Sequence, residues 1–210
     1  GRASAATPAA RSVRASRTWV EDAIRLDAGP VYGVTTGFGP LAQVRIAPEQ
    51  ARRLSRNLIL SSVVGVGPPL PPDIVRAMLL IRVNTFANGL SGVRPVLADT
   101  LIRMLNSGVT PHVPAKGSLG ASGDLAPLAH IAVVLSKDPD PRADEYSGRA
   151  WFGGELMSGA EAMKRAGIER VELEAKEGLG LTNGTNLMAA AAALGVYDAE
   201  NLLRHAEIAA

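Results

Sequence analysis

The run Gly117-Ser118-Leu119-Gly120-Ala121-Ser122-Gly123-Asp124 holds the residue types in this 210-residue sequence that can do unusual chemistry. Small residues in succession let the backbone fold tightly enough for a peptide nitrogen to reach a nearby carbonyl carbon. If the Gly123 nitrogen attacks the Ala121 carbonyl and two waters leave, one carrying the Ser122 hydroxyl, the product is a five-membered ring with an exposed methylidene. Such a ring is an electrophile, which no ordinary side chain is. The triplet by itself suits a plainer role, a helix-capping loop, and after that a phosphate cradle at a helix N-terminus. The cradle would lack the Lys and Ser/Thr of a phosphate-binding loop.

Three further stretches carry residues of catalytic type. Tyr32 stands in Val31-Tyr32-Gly33-Val34-Thr35-Thr36-Gly37-Phe38-Gly39, whose Gly and Thr content opposes a stable helix and predicts a structured surface loop. Ser61 and Ser62 end Asn57-Leu58-Ile59-Leu60-Ser61-Ser62, just before Gly65-Val66-Gly67. Asn183 lies in Glu177-Gly178-Leu179-Gly180-Leu181-Thr182-Asn183-Gly184-Thr185. Taken singly, each has an ordinary use. A loop tyrosine packs half-buried, paired serines bond to helix carbonyls, and Asn-Gly-Thr is a glycosylation acceptor in a secreted protein only.

Residues 117–130, Gly-Ser-Leu-Gly-Ala-Ser-Gly-Asp-Leu-Ala-Pro-Leu-Ala-His, closely resemble the signature of the aromatic amino acid ammonia-lyases, the family of histidine and phenylalanine ammonia-lyases. The three other stretches resemble the same family, so the likeness runs over about residues 32 to 185. It implies that Ala121, Ser122 and Gly123 form a 4-methylidene-imidazol-5-one group, the family's cofactor. It also implies that Tyr32 is the general base and that Asn183 donates to the ring carbonyl or the substrate. Gly39, Ser61, Ser62 and Leu125 take substrate-binding positions by the same likeness. Histidine ammonia-lyases commonly carry Ser-His where this chain has Ser61-Ser62, so the expected reader of an imidazole is missing and a histidine substrate does not simply carry over.

The implied reaction is the non-oxidative deamination of an aromatic L-amino acid, whether histidine, phenylalanine or tyrosine. The amine adds to the methylidene, Tyr32 takes a β-proton, and ammonia leaves to give an arylacrylate. A 2,3-aminomutase would use the same ring and return ammonia to the β-carbon. A helical assembly piece with no activity of its own is the alternative from a different class. The family works as a homotetramer with shared sites, so a homo-oligomer is implied.

Composition sets the elements that must position these residues. Nearly half the chain is apolar, aromatics are few, and Ala and Leu dominate, which favours a mainly α fold with a substantial core. The formal charge of +2 without a clustered basic stripe gives nucleic acid no footing. No apolar run spans a bilayer and no charged-then-apolar leader opens the sequence, so the cytoplasm is the default compartment and a membrane is not a partner. With no cysteine, neither a disulfide nor a thiolate site can form.

Residues 1–16 read as a poorly ordered arm, 17–182 as the ring-bearing domain and 183–210 as the start of a long bundle helix. Pro-opened helices are predicted after Pro48, Pro71 and Arg94, the last closed by Gly108. A polar loop follows at 138–148, then a short hairpin around Gly153-Gly154 and a helix capped by Ser158 and Glu161. Asp124 is expected in the first turn of the helix that follows it, and His130, with no partner at metal-ligand spacing, as a satisfied buried histidine. The last helix lacks a stop signal and has more apolar residues than one face accommodates. The expectation is therefore an amino-terminal piece of a longer enzyme, inactive alone and prone to self-associate.

Overall fold

In the computed structural model, which describes residues 8–27, 29–119, 123–140 and 146–210, Pro8–Arg25 form helix α1. Helix thus begins within the stretch read as an arm. The reason is a buried stripe of Val13, Arg17, Val20 and Ala23, which the scattered arginines hid from a hydrophobic count. Arg17 donates to the carbonyls of Gly92 and Ala175, and the Gly92 nitrogen donates to the Ser16 hydroxyl, tying the helix to distant loops. The segment expected to be a surface loop follows, closed by a bridge between Thr36 and Arg45.

Helix α2 (Ala51–Ser62) leads into strand β1 (Val66–Pro69), then α3 (Pro72–Ala87) and α4 (Pro95–Ser107). Gly108 ends α4 in the left-handed conformation, φ 83°, as its position predicts. Strands β2 (Thr110–Pro111) and β3 (Pro114–Lys116) carry the chain to the Gly117 run, β3 pairing antiparallel with β1. Helix α5 (Ala126–Leu135) and β4 (Ser136–Lys137) follow. The predicted hairpin is β5 (Arg149–Phe152) and β6 (Glu155–Ser158), with β2 on its open edge. Ser158 caps α6 (Gly159–Arg165) by accepting from the Glu161 nitrogen at 3.3 Å. Then come β7 (Val171–Glu172), parallel to β4, a short helix α7 (Glu177–Thr182), and α8 (Asn186–Ala209).

Helix α5 is the axis of the core. Every one of its side chains but His130 is buried, so it is apolar all round, as a central helix must be. It packs against α2, α6 and α7, and the same core cluster takes in Ile59 of α2, Met78, Leu79 and Phe86 of α3, and Leu97, Leu101 and Met104 of α4. On α3 the buried stripe is Val75, Met78, Leu79, Arg82 and Phe86, so that of Ile74, Ala77, Met78, Ile81 and Phe86, which the helical period of the sequence places inward, Met78 and Phe86 are fully buried and the others half-buried, and the stripe includes a charge. Helix α7 reaches α2 through Gly178, where a Cβ would lie 2.4 Å from the Ser55 carbonyl oxygen. Beyond Ala190, α8 is unburied, and Val196, Tyr197, Leu202, Leu203 and Ile208 are exposed. Among the described residues no helix is long and apolar enough to cross a membrane.

Candidate active site

Ala121 and Ser122, two of the three ring-forming candidates, lie outside the described residues. The third, Gly123, has φ 117° and is seated against Gly184, so closely that a Cβ would lie 2.6 Å from the Gly184 oxygen. Only glycine stands there. The neighbouring Asp124 donates its backbone N–H to that same oxygen at 2.8 Å. Its carboxylate is fully buried, accepting from the Ser118 hydroxyl at 2.7 Å and from the Leu187 nitrogen at 2.5 Å. Asp124 was expected in the first turn of α5. It lies ahead of that helix and supplies an acceptor to the first turn of α8 instead, where the cap residue Thr185 offers no side-chain bond. A carboxylate at a helix N-terminus satisfies a free N–H and complements the helix dipole. The close seating of Gly123 fits the ring that the sequence implies, since closure needs its nitrogen unhindered and pressed inward.

Asn183 is not the first residue of the long helix but the residue that ends α7, with φ −90° and ψ 125°. Its carbonyl accepts from Arg82 Nη1 at 2.9 Å. The same nitrogen bonds the Gly180 oxygen at 3.1 Å, and Nη2 bonds Asn186 Oδ1 at 2.6 Å. Arg82 is 3 % exposed and its guanidinium lies over the Phe86 ring, 5.7 Å from the centroid. Burial lowers its pKa to about 10, opposed by the charge of Asp124, so the group stays cationic at neutral pH.

Tyr32 is half exposed, and its hydroxyl oxygen accepts from the Gly39 nitrogen at 3.2 Å, which brings two of the sequence candidates together. Its ring meets Phe38 edge-on at 6.1 Å. The loop is stiffened by Thr35, whose hydroxyl donates to the Gly29 oxygen and accepts from the Val31 nitrogen. Tyr32 lines a cavity of about 400 Å³ whose wall includes Leu90, Ser91 and Lys176. Those three also line a smaller cavity, about 180 Å³, bounded by Asn183 and Arg82. Tyr32 and Asn183 therefore face adjoining spaces separated by shared residues. Burial lowers the pKa of Lys176, and its φ of 75° is uncommon for a side-chain-bearing residue.

Ser61 and Ser62 end α2 and line neither cavity. The Ser61 hydroxyl donates back to the Leu58 carbonyl, and Ser62 is half-buried. Three residues beyond Ser62, Gly65 comes close to the ring-bearing run, since a Cβ on Gly117 would lie 3.1 Å from the Gly65 Cα. Leu125, in the strained conformation φ 37°, ψ −77°, joins Gly123 to α5.

His130 is the satisfied histidine expected, its Nε2 accepting from the Gly65 nitrogen at 3.1 Å. Burial first, then His112, hold its pKa near 4 rather than 6.5. Between those values the unfolded chain binds a proton that the folded chain refuses. The resulting stability is complete above the unfolded value and is lost as pH falls through the window toward 4. Unfolding in denaturant at pH 7 and 4.5 should show a loss on the order of 2 kcal/mol, after allowing for partial solvent screening. His130→Gln, which keeps an acceptor for Gly65, should flatten that slope; an unchanged slope assigns the pH response elsewhere.

Sequence reasoning missed Arg82, which holds the Asn183 carbonyl, and the buried pair of Glu177 with Arg94. A signal for Arg82 existed: an arginine four residues from both Met78 and Phe86, on a stripe otherwise apolar. Comparison with known proteins settles the family, because the aromatic amino acid lyase profile matches residues 2–210. The chain belongs to the aromatic amino acid lyase family. Among these lyases it is 48 % identical to a histidine ammonia-lyase of Treponema denticola over 202 residues, 96 % of this chain and 38 % of that protein. A histidine ammonia-lyase of Alkaliphilus metalliredigens is 52 % identical over 179 residues, 85 % of this chain and 34 % of the relative. The chain thus spans little more than a third of the length of these lyases. Of solved lyase-fold structures, the ergothionase of Treponema denticola aligns with a TM-score of 0.83 at 29 % identity, covering 92 % of this chain and 37 % of that one. The phenylalanine aminomutase of Pantoea agglomerans aligns at 0.73 and 34 % identity, over 87 % of this chain and 33 % of that one.

Proposed function

We propose that this chain carries the electrophile-bearing part of an ammonia-lyase that converts an aromatic L-amino acid to an arylacrylate and ammonia. The observation that carries the reading is the seating of Gly123 against Gly184, next to Asn183, with no room for a side chain between them. A 4-methylidene-imidazol-5-one, which residues 121–123 would form, would supply an electrophile for the amine of the substrate. The chain's own residues do the rest. Tyr32, oriented by the Gly39 N–H, takes the β-proton at its hydroxyl oxygen. Asn183, exposed at the end of α7 and held through its carbonyl by Arg82, offers its side-chain amide to the ring carbonyl or the substrate. With Ser61-Ser62 in place of Ser-His, no imidazole reader stands at that position.

A second reading, a 2,3-aminomutase, is favoured by the similarity to the phenylalanine aminomutase, and product analysis separates the two. A homo-oligomer is the assembly we assign, a second copy covering the apolar residues exposed along α8.

The test is an intact mass taken on the full-length parent enzyme, with its turnover measured on the same preparation. A chain with the ring is expected to be lighter than its sequence by two waters, roughly 36 Da. Arylacrylate absorbance should rise with an equal yield of ammonia; a β-amino acid as the major product would instead identify the mutase. An unshifted mass in an active preparation sinks the ring.

A further inference from the structure

We propose that Arg82 is a positioning residue for ring closure: its guanidinium fixes the turn at 183–186 as the surface against which Gly123 is pressed. The inference rests on the ring reading above for its chemical consequence, though not for its geometry. Closure forms a bond between the Gly123 nitrogen and the Ala121 carbonyl carbon. The Ala121 oxygen leaves as water with the amide protons of Gly123 and Ser122. The Ser122 hydroxyl leaves as a second water with the Ser122 Cα proton, and no oxidant or reductant is needed. What the protein must supply is compression, because the nitrogen has to approach a carbonyl two residues back, and strained backbone persists only where its surroundings impose it.

The imposing surface has two faces. On one, Gly123 and the Asp124 N–H rest on the Gly184 oxygen, and the Asp124 carboxylate holds the Leu187 N–H. On the other, Arg82 links the end of α7 to the start of α8, through the carbonyls of Gly180 and Asn183 and the side chain of Asn186. Gly184 sits between the two faces. A Cβ there would lie 2.6 Å from Arg82 Nη2 and 2.8 Å from Asn186 Oδ1, so the turn cannot retreat toward α3 without displacing the guanidinium. Arg82 itself is anchored in the core stripe with Met78 and Phe86. Its Nε and the Asn186 Nδ2 have no hydrogen-bond partner among the described residues, an expense that core stability alone does not explain. A lysine places one ammonium where the guanidinium serves three acceptors in a plane, so it does not replace Arg82.

The experiment compares the full 210-residue chain with Arg82→Lys and Arg82→Met, reading intact mass and amide hydrogen exchange. The expected result is a two-water deficit in the parent chain and none in either variant. Exchange at the Asp124 and Leu187 amides should be at least ~10-fold faster, with Leu101 and Met104 of α4 still protected. Variants that keep the deficit, or that keep parental exchange at Asp124 and Leu187, overturn the proposal. If the parent chain itself shows no deficit, the ring reading fails for this chain. Arg82 is then judged by exchange alone, faster exchange upholding its hold on the turn and unchanged exchange refuting it. Should both variants also lose protection in α4, Asn186→Ala decides. It removes only the Nη2 acceptor, and parental exchange at Asp124 and Leu187 in that variant refutes the proposal, whereas selective loss upholds it.

Discussion

In the full-length parent enzyme, Tyr32→Phe is expected to lower kcat by roughly 100-fold or more while leaving KM and the mass unchanged, since a positioned general base contributes about 10² to 10⁴ in rate. The substitution is informative because of what it leaves in place. The edge-on contact with Phe38 involves the ring and not the hydroxyl, and the bonds of Thr35 to Val31 and Gly29 do not involve Tyr32 at all. The loop should therefore keep its course, and only the oxygen held by the Gly39 N–H is lost. A drop in kcat alone reports proton transfer, whereas a rise in KM with kcat intact would report a binding contact. Turnover within a few-fold of the parent would make Tyr32 a packing residue.

Glu177→Ala should lower the unfolding free energy by about 3–5 kcal/mol, the usual result of removing one partner from a buried ion pair. Glu177 is fully buried at the start of α7, and both its oxygens are doubly used. Oε1 accepts from the Arg94 backbone nitrogen and from Arg94 Nε, at 2.9 and 2.8 Å. Oε2 accepts from Arg94 Nη2 at 2.7 Å and from the Glu174 nitrogen at 2.9 Å. Hydrogen bonding to Glu177 raises the Arg94 pKa against the opposing effect of burial. Alanine would leave a partly buried guanidinium and two backbone N–H groups without their acceptor. For a domain of this size the loss corresponds to a fall in Tm of roughly 6–20 °C. Glu177→Gln, which keeps an acceptor oxygen and gives up the charge, should fall between. A cost below about 1 kcal/mol for alanine would place the pair with surface ion pairs and contradict its burial.

The two predictions differ in where their signals lay. Tyr32 was legible because the Gly and Thr residues around it dictate a loop, and a loop tyrosine flanked by glycines is a local fact. The same holds for the Gly108 helix end, the hairpin turning at Gly153-Gly154 and the Ser158 cap, each of which follows from the φ preference or hydrogen-bonding reach of residues within a few positions. The central helix α5 was equally plain, because a ten-residue stretch whose only polar side chain is one histidine has nowhere to go but the core.

What the sequence by itself determined about this protein is the class of fold and the four stretches that resemble one lyase family, since helical period, glycine conformation and proline geometry act over one or two turns of chain. What only the tertiary structure decided is how those stretches are held. Asp124 stands next to α5 in sequence, yet its carboxylate serves α8, 63 residues away. Glu177 finds Arg94 across 83 residues, and Arg82 finds Asn186 across 104. Residues 8–16 become helix because Arg17 reaches the Gly92 and Ala175 carbonyls from a face that looks charged in one dimension. A buried charge or carboxylate is tolerated only where distant chain supplies its partners, so its place is a property of the assembled core and cannot be read from its neighbours in sequence.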